Sequence, residues 1–127
     1  MAQYADVIEI VAPSQAAPGS RVDLTVRIKN LYSGAIAIMV GGALEYGVSP
    51  WPGITFPDYY ANVDAGAICS FNGYFYMPDS RVTLHAYSYW YGADGYWYFD
   101  DELTKVINLA SLIPQVSEFR IADFYKM

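Results

Sequence analysis

Apolar and polar residues alternate with a period of two through most of the chain, and Gly, Pro, Asn and Asp separate the alternating segments. That period belongs to strands with one face in a core and the other in water. The clearest case is residues 21–30, where Val22, Leu24, Val26 and Ile28 point one way and Arg21, Asp23, Thr25, Arg27 and Lys29 the other. A first strand is predicted at residues 7–11, followed by a loop over 12–20 whose two prolines cannot donate to a ladder. Residues 35–40 form a continuous apolar run, after which Gly41-Gly42 predict a bend or bulge before a short strand at 44–48. Residues 49–62, rich in Pro and aromatics, predict a long ordered loop. Alternation returns at 67–77, with Ala67, Cys69, Phe71, Gly73, Phe75 and Met77 on one side.

The most definite hairpin follows. In residues 81–91, Val82, Leu84, Ala86, Ser88 and Trp90 take the inner parity, and Thr83, His85, Tyr87, Tyr89 and Tyr91 the outer. Gly92-Ala93-Asp94-Gly95 then suits a turn with positive φ, and a returning strand runs from residue 96 to about 109. Seven or eight short strands with regular turn signals describe an all-β, two-sheet antiparallel sandwich of immunoglobulin-like type. A closed barrel is the architectural alternative. Residues 116–125 alternate once more after Pro114, so the chain divides into a sandwich domain over 1–112 and a strand extension over 113–127.

Length and composition agree with one domain that buries a core: 127 residues, 54% apolar and 16% charged. A net charge of −6, with seven Lys and Arg scattered along the chain, argues against a nucleic-acid partner. The lone Cys69 cannot form an internal disulfide, and its apolar parity marks a buried, inert thiol. The first residues lack a basic segment followed by an apolar stretch, and no window is long enough to span a bilayer. The expectation is synthesis in the cytoplasm, with no membrane partner and with incorporation into a virion or surface assembly left open.

The run APGSRVDLTVRIKN, with Pro18-Gly19 ahead of a strand ending in Asn30, resembles the opening of CARDB-like and other immunoglobulin-like modules of prokaryotes and their viruses. The run VDAGAICSFNGYFYMPDSRVTLHAYSYW, with Ala65-Gly66, Phe75 and Met77-Pro78-Asp79, is similar to their later strands. The resemblance implies the sandwich fold over about residues 7–109 and a role as spacer, decoration or adhesive unit of surface or phage virion proteins. It marks strands and turns, not a chemical site.

Candidate chemistry is sparse. Serine nucleophile elbows, phosphate-binding glycine loops and zinc-ligand cysteine spacings are absent from the sequence, so no enzyme, cofactor or metal site is expected. Asp94, Asp100, Asp101 and Glu102 match no calcium loop and predict a solvated acidic turn. The single histidine, His85, is expected at the surface. Trp51, Phe56, Tyr59 and Tyr60 are expected to fold over one end of the sandwich.

The concentration that stands out is tyrosine. Tyr87, Tyr89 and Tyr91 should share an outer face with Tyr96 and Tyr98 on the partner strand, leaving Trp90, Trp97 and Phe99 inward. Such a ladder suits a protein interface or the flat faces of sugar rings, and it could equally be a stabilised solvent-facing sheet. Phe119, Ile121 and Phe124 are the candidate contacts of a C-terminal strand that pairs either in its own sheet or with a neighbouring subunit. The expected function is a non-enzymatic module that self-assembles or decorates a larger assembly, with other structural subunits as partners. The alternative is a carbohydrate-binding or adhesive module.

Overall fold

The computed structural model describes residues 2–110. These form eight strands: β1 (Ala5–Val11), β2 (Gln15–Ala16), β3 (Arg21–Asn30), β4 (Ile36–Glu45), β5 (Tyr60–Val63), β6 (Ile68–Tyr76), β7 (Val82–Tyr91) and β8 (Trp97–Leu109). They make a three-stranded sheet in the order β1-β3-β6 and a five-stranded sheet in the order β2-β8-β7-β4-β5. Every strand pair is antiparallel except β2 with β8, which run parallel over two residues. The opening of the chain is thus shared: β1 lies on β3, and after a three-residue crossing β2 closes the edge of the other sheet. The expected extension, with Phe119, Ile121 and Phe124, lies outside the described residues.

The core fills the space between the sheets as the alternation predicts. Val22, Leu24, Val26 and Ile28 of β3 and Phe71 and Phe75 of β6 meet Ile38, Val40 and Leu44 of β4, Val82 and Leu84 of β7, and Ile107 of β8. In β1 the register slips between Val7 and Glu9, so the inward parity passes from Val7 to Ile10. Cys69 is half-buried against this core, and burial pushes its thiol above the ordinary value, keeping it protonated.

Two expectations about backbone shape are corrected. β4 runs unbroken through Gly41-Gly42 and holds its register with β7 from Ile38 to Glu45, so there is no bend and no separate strand at 44–48. The glycines serve close approach instead: a Cβ on Gly42 would meet Ile54 Cδ1 at 2.7 Å, and one on Gly41 would meet the Tyr89 ring at 3.4 Å. The loop after β4 is displaced from its expected place, running over residues 46–59, because β4 ends at Glu45 and residues 60–63 pair with it as strand β5. That loop bridges the two sheets, with Gly53 pairing Ala43 and Thr55 pairing Tyr74. Ile54, between these bridges, and Phe56, just after them, drop into the core.

Side chains tie one pole of the sandwich. Asn30 is fully buried at the end of β3; its amide donates to the carbonyls of Gly34 and Val63 at 2.9 Å, and its oxygen accepts the Tyr32 amide at 2.7 Å. It pins the loop after β3 and the turn after β5 together, as a buried amide must to offset its desolvation. At the same pole, Asp100 accepts the backbone N–H groups of Gln3, Tyr4 and Ala5 at 2.7, 2.8 and 2.6 Å. Asp101 accepts that of Val7 at 3.0 Å, and Ser88 Oγ donates to the Ala5 carbonyl at 2.5 Å. The start of β1 is fastened across the sandwich to β7 and β8.

Candidate functional site on the outer face of the five-stranded sheet

The hairpin that carries the site differs in register from its sequence expectation. Tyr91 pairs with Trp97, so the loop is five residues long, closed by a Gly92 N–H to Tyr96 carbonyl bond of 2.8 Å. Tyr89 then faces Phe99 and Trp90 faces Tyr98. A bulge follows: Ser88 pairs with Asp101, which leaves Asp100 unpaired in the ladder and free to turn toward the start of β1. Beyond it, Tyr87 faces Glu102 and His85 faces Thr104.

The consequence is an exchange of faces. Trp97 and Phe99, expected inside, stand on the outer face beside Tyr91 and Tyr89. Tyr98, expected there, lies on the opposite side of β8, stacked on Trp90 at 4.8 Å and hydrogen-bonded to Asp94. That bond raises the Tyr98 phenol and lowers the Asp94 carboxyl from their ordinary values. Trp90 itself packs inward, with the Tyr4 ring edge-on at 4.9 Å. Tyr96 is an exposed turn residue and joins neither group.

Across the strands the outer side chains fall into rows. Tyr60, Met39, Tyr89 and Phe99 lie in one row across β5, β4, β7 and β8; one step before it, where the β4–β7 ladder begins at Ile38 and Trp90, the pairs Asn62–Ala37 and Tyr91–Trp97 line a common cleft and continue the same order. Gly41, Tyr87 and Glu102 follow, then Ala43, His85 and Thr104. Rings touch along and between rows: Tyr59 with Tyr60 at 5.4 Å, Tyr60 with Trp97 at 6.3 Å, Tyr91 with Trp97 at 5.0 Å, and Phe99 with both Tyr89 and Tyr87 at 5.8 and 6.0 Å. Phe99 has no polar atom to give to water, and its contacts with Tyr87 and Tyr89 still leave it 58% exposed on this face. Tyr59 and Tyr60, expected to cover the core, project onto this face as well; of that loop group only Phe56 packs inside.

His85 closes the other end of the aromatic belt and corrects its surface assignment. It keeps the outer parity, yet Trp51 stacks on its ring at 4.5 Å and the residue is only 9% exposed. Nε2 lies 2.8 Å from Glu45 Oε1 and Nδ1 2.5 Å from Glu102 Oε2. Two carboxylates at two ring nitrogens require both nitrogens to donate, which is the imidazolium. Burial depresses the pKa of His85, but the hydrogen bonds to Glu102 and Glu45 outweigh it and the net direction is upward.

The acidic cluster is likewise not a free solvated turn. Asp94 holds Tyr98 and the Tyr96 amide, Asp100 and Asp101 hold β1, and Glu102 holds His85. Among the described residues no group of three or more His, Cys, Asp or Glu side chains is gathered to hold a metal ion. On the opposite, three-stranded sheet, Arg21 pairs with Asp23 and lies over the Tyr74 ring, and Arg27 pairs with Glu9. Both ion pairs are exposed on that face.

No family model matches the chain, and no curated protein matches it. Solved structures do. The CARDB domain of a Pyrococcus furiosus protein, in complex with di-metal ions, is 9% identical with a TM-score of 0.59, the likeness covering 87% of this chain and 92% of that one. Native α2-macroglobulin of Escherichia coli is 19% identical with a TM-score of 0.60, over 87% of this chain and 17% of that one. The alkylpurine DNA glycosylase AlkC of Pseudomonas fluorescens, bound to DNA, is 13% identical with a TM-score of 0.61, over 85% of this chain and 31% of that one. The chain therefore spans only a small part of the two larger proteins. What these likenesses show is the fold, an immunoglobulin-like β-sandwich.

Proposed function

We propose that the chain is a non-enzymatic interaction module that binds other protein subunits, a second copy of itself first among them, by burying the outer face of its five-stranded sheet. The observation that carries this reading is the contiguous aromatic surface formed by Tyr60, Trp97, Tyr91, Phe99 and Tyr89. Folding alone buries apolar surface; a face that exposes Phe99 and Tyr60 by more than half has a second partner to gain from. Aromatic side chains concentrate binding energy because they carry large, rigid area at little entropic cost. In a virion or surface array, the same face would seat the module against its neighbours.

Amide hydrogen exchange at low and high protein concentration tests the reading. Protection that rises with concentration in β4, β5, β7 and β8 supports it, whereas protection confined to β3 and β6 would assign the contact to the other sheet.

A further inference from the structure

One corner of the aromatic face is a cleft and not a flat surface. In the order Asn62, Ala37, Tyr91, Trp97, the position between the amide and the tyrosine is filled only by a methyl group. Neighbouring strands lie about 4.8 Å apart, so Asn62 and Tyr91 stand roughly 10 Å apart across Ala37. The result is a cleft of about 480 Å³ lined by Ala37, Tyr59, Tyr60, Asn62, Tyr91 and Trp97.

The geometry points to a binding site for a neutral sugar in this cleft, a function beyond subunit association. Three features define the ligand. Within a chain of net charge −6 the lining has no charged side chain, which suits an uncharged ligand and neither a phosphate nor a basic peptide. Trp97 meets both Tyr60 and Tyr91 edge-on, at interplanar angles of 69° and 63°, and such corners leave ring faces open beside ring edges. A pyranose presents a flat C–H face to an aromatic ring and hydroxyls at its rim, and the Asn62 amide supplies a donor and an acceptor for those hydroxyls.

The third feature is length. In the adjacent row Met39 occupies the place that Ala37 leaves open, so the cleft does not continue along the sheet. A polyproline peptide, the other occupant of aromatic grooves, needs successive slots along an extended path. The cleft offers one.

The test uses isothermal titration of the full chain with cellohexaose, xylohexaose, maltoheptaose and laminarihexaose, and with decaproline as the peptide probe. The expected result is saturable binding of at least one oligosaccharide, weakened at least about tenfold in Asn62→Ala and in Ala37→Met. Ala37→Met fills the cleft from a half-exposed position and adds no charge, and its thermal unfolding identifies any loss that comes from misfolding. No oligosaccharide binding at about 10 mM, or binding unchanged in both folded variants, overturns the proposal. Binding of decaproline alone overturns it in favour of a peptide. Phe99 lies outside the cleft, whereas Tyr60, Tyr91 and Trp97 belong to both surfaces, so Phe99→Ser separates the outcomes: it should abolish subunit association and leave sugar binding at least as strong as in the parent.

Discussion

The Asp100 carboxylate accepts the backbone N–H of Ala5 at 2.6 Å, joining the bulge in β8 to the first residue of β1. The same carboxylate takes the amides of Gln3 and Tyr4, so one side chain orders the entry of the chain. Asp100→Ala leaves three donors without their acceptor and should cost about 2–3 kcal/mol, most of the loss softened by water at this half-exposed site. Asp100→Asn, which keeps a carbonyl oxygen but not the charge, should recover part of it. Urea unfolding of the three proteins checks the order; equal midpoints would mean that the entry strand is held by packing alone.

Asn30 has no such access to water. Asn30→Leu removes the donor to Gly34 and Val63 and the acceptor for Tyr32 while leaving those backbone groups buried or half-buried. A loss of about 3 kcal/mol is expected, with the largest rise in amide exchange in the loop after β3 and the turn after β5. A uniform rise across the whole chain would instead indicate general destabilisation with no local tie.

His85 should make stability depend on pH. The folded state holds its proton more tightly than the unfolded chain, because Glu102 and Glu45 both accept from the ring. The resulting stabilisation is complete below the ordinary imidazole value of 6.5 and declines as pH rises through the higher folded value. The melting temperature should therefore fall between pH 6.5 and mildly alkaline pH in the parent and stay flatter in His85→Gln, whose charge does not titrate. Parallel pH profiles for the two proteins would rule the imidazolium out. Trp51 fluorescence offers a second readout, since that ring lies directly on His85.

How far the fold was legible varies with the strand. In β3, β6 and β7 the alternation is unbroken, and the inward residues are those its parity picks out. In β8 the apolar residues Trp97, Phe99, Leu103 and Ile107 all have odd numbers, yet the first two stand outside and the last two pack inside. The bulge at Asp100 splits them, and a five-residue turn in place of four moves Trp97 and Phe99 next to the β7 tyrosines. Two adjacent aspartates inside an otherwise apolar strand were the local sign of that bulge. Parity puts Tyr87, Tyr89 and Tyr91 on the outer face, where the structure has them, whereas Tyr98 lies on the opposite side of β8 and Tyr96 in the turn. Nothing near His85 in sequence announces its burial: its cover, Trp51, arrives from a loop 34 residues earlier, and Glu45 from a strand 40 residues earlier. The cleft at Ala37 depends on a register between β4 and the four-residue β5, which alternation alone is too short to reveal.

Absolute mass by light scattering across a concentration series, for the parent and for Phe99→Ser, tests the aromatic face most directly. Phe99→Ser replaces an exposed phenyl and should leave the melting temperature within a few degrees of the parent. If the face is an interaction surface, the parent mass should rise with concentration toward a defined multiple of 14.2 kDa, and the variant should remain monomeric at the same concentrations. A parent that stays monomeric throughout, or a variant that associates as strongly as the parent, would contradict association through this face.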